Sequence, residues 1–122
     1  MNIEELRNYC LAIKGSSEST PFRQLTNNTV LVFKVMNKMF AYIDLEPKDG
    51  FFNVCLKCNV DKTIDLRERY NGIVGTHKSL MWNAVYLEGD VSDKLIEELI
   101  NHSVEEVIRN LPKKKREEYK NL

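Results

Sequence analysis

The segment Thr29-Val30-Leu31-Val32-Phe33-Lys34-Val35-Met36-Asn37-Lys38-Met39-Phe40-Ala41-Tyr42-Ile43-Asp44-Leu45, with Phe51-Phe52-Asn53-Val54-Cys55-Leu56-Lys57 six residues further on, decides the fold. Thr29 to Val35 is β-branched and aromatic. Met39 to Leu45 and Phe51 to Lys57 alternate in polarity, as strands buried on one side do. Asn37-Lys38 serves as a two-residue turn because Asn tolerates positive φ. In Pro47-Lys48-Asp49-Gly50, Pro presets one dihedral and Gly supplies a left-handed position. Connections this short force antiparallel pairing, so a three-stranded meander is expected. Counting by twos places Leu31, Phe33, Val35, Ala41, Ile43, Leu45, Phe52, Val54 and Leu56 on a core face. The second face collects Val30, Val32, Lys34, Phe40, Tyr42, Asp44, Phe51, Asn53, Cys55 and Lys57. It is too apolar for plain solvent surface, so a helix or a second subunit is expected to cover it, or a ligand to bind it.

Helices flank the meander. Asn2 caps a first helix and Glu5 completes a capping box, with Ile3, Leu6, Tyr9, Cys10 and Ile13 at helical spacing and Gly15 at the end. Gly15 to Pro21 reads as a loop that Phe22 anchors to the core. A second helix spans Asp61 to Tyr70, with Arg67 on its solvated side, and ends at Asn71-Gly72. Ile73 to Leu80 is a loop or a short edge strand, and Trp82 to Leu87 is a strand. Ser92 caps a third helix. Ser103 with Glu106 forms a second capping box, which predicts a bend near His102-Ser103. Pro112 stops that helix, leaving Lys113 to Leu122 as a short amphipathic or frayed end. The expected class is α+β, in one domain over residues 1–122.

The 122 residues carry 18 Lys+Arg against 18 Asp+Glu. Zero net charge excludes a strongly cationic nucleic-acid coat. The charges are nevertheless segregated. Glu88 to Glu106 holds seven acids against Lys94, and Arg109 to Leu122 holds six bases against two acids. Arg23 to Lys78 leans basic, with nine bases and six acids. The longest apolar run, Val30 to Phe40, is interrupted by Lys34, Asn37 and Lys38, far short of the ~18 residues of a membrane span. The acidic start Met1-Asn2-Ile3-Glu4-Glu5 lacks the pattern of a secretory signal, so a cytoplasmic protein is expected.

No catalytic constellation stands out. Neither His77 nor His102 sits in a motif with a nucleophile, and Gly-x-Ser-x-Gly, a phosphate loop and His-Glu-x-x-His are all missing. Cys55-Leu56-Lys57-Cys58 has metal-like spacing, but a structural zinc site commonly needs two such pairs, and no proline stands opposite the dithiol as in thioredoxin-like proteins. Reduced thiols and no cofactor are expected. For nucleic acid, the candidate surface is Lys34, Lys38, Lys57, His77 and Lys78, with Trp82 and Tyr42 as aromatic neighbours. Lysines at hairpin turns and strand edges also discourage edge-to-edge aggregation.

In this order the pieces resemble the MmcQ/YjbR-like family of small bacterial proteins. The resemblance rests on Glu5-Leu6-Arg7, Gly15 with Glu18 and Pro21-Phe22, Val32-Phe33-Lys34-Val35 with Lys38-Met39-Phe40-Ala41, and Leu66 to Tyr70 with Gly72. It continues through His77, Trp82, Val85, Leu87 and Gly89 to Ser103 and Leu111-Pro112-Lys113-Lys114. One segment departs from the family pattern. Met81 precedes Trp82 where the family commonly has a second histidine, and no proline stands between Gly72 and His77, so paired histidines lack their second member. The resemblance implies a first helix, then three strands, a helix, two strands and a helix, similar to secretion chaperones and frataxin-like sheets. It also implies a non-enzymatic duplex-DNA-binding role for two β-hairpin wings, around Asn37-Lys38 and Ser79-Leu80. The alternative is a protein-interaction or chaperone-like module using the second sheet face (Val30, Val32, Phe40, Phe51) or the acidic third helix, in a monomer or weak homodimer.

Overall fold

A computed structural model of the chain describes residues 1–20, 29–76 and 79–122. The order is α1 (Ile3–Ala12), β1 (Ser16–Ser19), β2 (Val30–Val35), β3 (Lys38–Asp44), β4 (Asn53–Lys57), α2 (Val60–Arg69), β5 (Ile73–Gly75), β6 (Trp82–Tyr86), α3 (Asp93–Arg109) and α4 (Lys113–Lys120). The strands form one antiparallel sheet in the order β1-β2-β3-β4-β6-β5, an α+β fold with the expected meander at its centre. The capping box at Asn2 and Glu5 is present, each side chain accepting from the other residue's backbone N–H at 2.8 and 3.1 Å.

One face of the sheet is the core. Phe33, Val35, Ile43, Val54, Leu56 and Val85 meet Leu6 and Cys10 of α1, Leu66 of α2, and Ile96, Leu99, Ile100, Val104 and Val107 of α3. Tyr119 of α4 is half-buried against the same cluster and donates through its hydroxyl to the Lys14 carbonyl at 2.8 Å. The helices therefore lie on one side. Among the described residues no helix packs on the opposite face.

Several expectations are corrected. Ser16 to Ser19, expected in a loop, is an edge strand paired with Val32 to Val35. Its polar side chains carry no alternating signal because the backbone ladder and the ion pair from Arg7 of α1 to Glu18 hold it. The β2–β3 turn is Met36-Asn37, both with positive φ, the geometry of a mirror-image two-residue turn, and Lys38 already pairs with Val35.

Counting by twos fails at Phe40. The register slips from Phe33 opposite Ala41 to Lys34 opposite Met39, so Phe40 is the extra residue of a β-bulge. It turns into the core, fully buried, with its ring centroid 6.3 Å from that of Phe33. Leu45 and Phe52, expected in the core, are exposed because β4 begins only at Asn53.

Finally, α3 runs as one helix from Asp93 to Arg109, with no capping box at Ser103. The buried Ser103 hydroxyl donates to the Phe40 carbonyl at 2.6 Å and accepts from the Lys57 N–H at 2.9 Å. The bulge leaves Phe40 without a cross-strand partner, and a buried carbonyl needs a donor. Glu106, the other half of the expected box, pairs with Arg109.

Candidate nucleic-acid interface

Register determines which side chains share the helix-free face. Val32 pairs with Tyr42, Tyr42 with Cys55, Cys55 with Ala84 and Ala84 with Val74, so these five project together. One step of two along each strand adds Lys34 on β2, Lys57 on β4 and Trp82 on β6, with Lys57 directly opposite Trp82. Three of the six residues singled out from the sequence thus occupy one face at one end of the sheet.

Lys38 stands on the rim of that end, on the helix side of the register. It and Lys57 line a depression of about 250 Å³ together with Val107 of α3 and Leu111 of the α3–α4 connection. His77 and Lys78 lie outside the described residues, as does Phe22. The β2–β3 turn and the β5–β6 connection, which holds Ser79 and Leu80, sit at this same end. In the strand order their centres are three strand spacings apart, about 14 Å. Lys57 projects between them.

Trp82 is half-buried, and its ring centroid is 5.6 Å from that of Tyr42 in a tilted pair. Burial pushes the Tyr42 hydroxyl well above its ordinary pKa, so it stays a neutral donor. Arg67, expected on the solvated side of α2, instead reaches this hairpin. Its Nε donates to Asn83 Oδ1 at 2.7 Å, and its guanidinium also reaches the Leu80 and Trp82 carbonyls at 3.4 Å. Asn83 is buried and its amide donates to Thr63 Oγ1 at 2.9 Å, which ties α2 to β6. At Gly75 an added Cβ would come within 3.0 Å of the Arg67 guanidinium, so glycine makes that approach possible. Sequence reading missed Arg67 and Asn83 because partners 16 residues apart leave no local pattern.

Cys10, Cys55 and Cys58 are buried and form no disulfide. Cys55 belongs to the helix-free face and Cys58 to the core, so the Cys-x-x-Cys pair is split across the sheet. Burial pushes the Cys10 thiol up to about 12 and that of Cys58 up to about 11. Both are protonated at neutral pH. Burial, the largest cause, also lowers the His102 pKa, so this imidazole is neutral and its Nε2 accepts from the Asn59 N–H at 3.3 Å. Among the described residues no group of three His, Cys, Asp or Glu could hold a metal ion, and no helix is long and apolar enough to cross a membrane.

The apolar second-face patch is smaller than expected. Val32 is buried and Phe40 has left for the core, so of that group Phe51 is the strongly exposed member. Phe51 sits at the other end of the sheet, where the Pro47 to Gly50 turn forms as expected, with Gly50 at φ 79° and its N–H bonded to Pro47 O at 3.1 Å.

An antiparallel six-stranded sheet with helices on one face, a bulged central hairpin and a second hairpin beside it defines a class of small α+β proteins. The YjbR family model matches residues 11–105, and the chain belongs to that family. It is 27% identical over 119 residues to the Escherichia coli K12 protein YjbR, covering 95% of each chain. A crystal structure of a Deinococcus radiodurans protein with the DUF419 domain superposes with a TM-score of 0.83 at 29% identity, over 97% of this chain and 87% of that one. A Pseudomonas syringae protein shares the fold, with a TM-score of 0.70 at 23% identity over 84% of this chain and 96% of its own.

Proposed function

We propose that this protein is a non-enzymatic module that binds duplex DNA through the basic end of its helix-free sheet face. One observation carries the reading: the register gathers Lys34, Lys57 and Trp82 on one face, with Lys38 on its rim, while the acidic α3 lies on the other side of the sheet. Lysines there would neutralise phosphates, and the two hairpins would contact the backbone on either side of a groove. Their separation of about 14 Å is comparable with the roughly 12 Å width of the major groove. Arg67 and Asn83 act as positioning residues that hold the second hairpin. Three lysines give modest, salt-sensitive affinity, with a slope of log K against log salt of about −3.

The test is titration of a labelled duplex at two salt concentrations. The reading predicts binding at low salt that weakens with that slope. Absence of binding at low salt, or affinity unchanged in a Lys34→Glu, Lys57→Glu variant, defeats it.

A further inference from the structure

At the end of the sheet remote from the lysines, α1's first turn, the β3–β4 connection and the end of β6 enclose a cleft of about 530 Å³. Ile3, Leu45, Phe51, Phe52 and Leu87 supply its apolar lining. Phe51 is 66% exposed and Phe52 40%, a clustering of large apolar side chains that packing within the chain does not use. The loop that carries them is pre-arranged. Asp49 accepts from the Tyr86 hydroxyl at 2.7 Å through one oxygen and from the Phe51 N–H at 3.0 Å through the other. A second, shallower depression of about 430 Å³ shares Phe51, Tyr86 and Glu88 with the first and continues over Asp49 and Asp90.

The charged side chains lining the two compartments are all acidic: Glu4 and Glu88 in the first, Asp49, Glu88 and Asp90 in the second. The Met1 amino group, the cation present there, is already held by Asp93 at 2.8 Å and the Leu87 carbonyl at 3.1 Å. The Tyr86 hydroxyl, first, and the Phe51 N–H hold the Asp49 carboxyl below its ordinary pKa, so this carboxylate is charged at neutral pH.

We infer that this cleft is a docking site for a peptide segment that presents a large apolar side chain beside a lysine or arginine. The apolar compartment has the volume of a side-chain pocket with the backbone that carries it. The adjoining acidic compartment lies where the neighbouring side chain of an extended peptide would fall. Two compartments of different chemistry sharing one wall require two adjacent side chains of different chemistry. Asp49 and Asp90 already accept hydrogen bonds from the chain, Asp90 from the Asn71 and Gly72 N–H groups at 2.7 and 2.8 Å. Among the described residues no lysine or arginine lines either compartment, so a uniformly apolar partner would leave the rim's charge uncompensated and an acidic one would be repelled. The site shares none of the lysines of the DNA-binding reading and stands or falls independently of it.

The test is amide chemical-shift mapping on the full chain with three blocked tripeptides: Lys-Phe-Lys, Glu-Phe-Glu and Lys-Gly-Lys. The inference predicts saturable shifts from Lys-Phe-Lys centred on Leu45, Phe51, Phe52, Tyr86 and Leu87, at least tenfold weaker binding of the other two, and a tenfold loss with Glu4→Lys, Glu88→Lys. Both substitutions are at exposed positions, and unchanged core amides would show that the variant is folded. The inference is overturned if Glu-Phe-Glu binds equally, or if shifts fall on the acidic face of α3 around Glu97 and Glu98. Concentration-dependent dimerisation that buries Phe51 without peptide, or no shift at millimolar Lys-Phe-Lys, overturns it too.

Discussion

The two ends of the sheet are made of the same strands and differ in nearly everything that a partner would meet. At one end Lys34 and Lys57 share a face with a Tyr42–Trp82 pair that is half-buried and braced by α2, and Lys38 stands on the rim. At the other, Phe51 and Phe52 stand exposed on a loop rimmed by Glu4, Asp49 and Glu88. The aromatic groups on the basic end are anchored and the charges project. On the acidic end the aromatic groups project and a key charge, Asp49, is engaged in holding the loop. The chain's net charge of zero is therefore a sum over surfaces of opposite charge.

Charge reversal breaks the comparison most strongly. Lys34→Glu with Lys57→Glu should abolish measurable duplex binding at moderate salt and reduce the salt slope by about 1.8, as expected for two lost phosphate contacts. Glu4→Lys with Glu88→Lys should leave duplex binding no weaker. Equal losses in both variants would show that binding follows total charge and not the basic end.

Stability should divide the ends next. Trp82→Ala should cost about 2–3 kcal/mol in urea unfolding, below the 3–5 of a fully buried aromatic because the ring is half-exposed. Phe51→Ser should stay within about 0.5 kcal/mol, since an exposed side chain loses little on truncation. Asn83→Ala should cost about 1.5 kcal/mol, because Thr63 and Arg67 lose a partner at a buried site, and amide exchange should rise in the β5–β6 hairpin before it rises elsewhere. A uniform rise would remove Asn83 from its positioning role.

The smallest effect concerns pH. The folded state holds the Asp49 pKa below its unfolded value, so the associated stability is present above the ordinary carboxylate range and is lost as pH falls through the folded pKa. Tyr86→Phe removes the main cause. Its difference from the parent should shrink as pH falls, and the Asp49 carboxyl titration followed by NMR should move upward.

The meander, the capped first helix and the Pro47 to Gly50 turn were legible because each is a local pattern of period, cap or turn residue. Lys34 and Lys57 were placed on one face by the same counting. The bulge was not legible. Phe40 obeys alternation in the sequence, and only the carbonyl left for Ser103 to bond, across 63 residues, reveals that it has changed sides. The bend predicted at His102-Ser103 failed for the same reason, since the serine hydroxyl serves the sheet and not the helix. The edge strand of Ser16 to Ser19 escaped because serines pair through backbone alone. Trp82 was named beside the lysines from the sequence, and the register with Lys57 is what places it on their face; Arg67 with Asn83 needed the packing of α2.

The central claim is that duplex DNA meets the basic end of the helix-free face. Amide shift mapping with a short duplex at low salt tests it most directly, because a competing cationic segment, Lys113 to Arg116 of α4, lies on the helix side. The account predicts shifts at Lys34, Lys38, Lys57 and Trp82 and in both hairpin connections, with α4 unaffected. Shifts confined to Lys113 to Lys120, or to the cleft at Phe51 and Phe52, would contradict it.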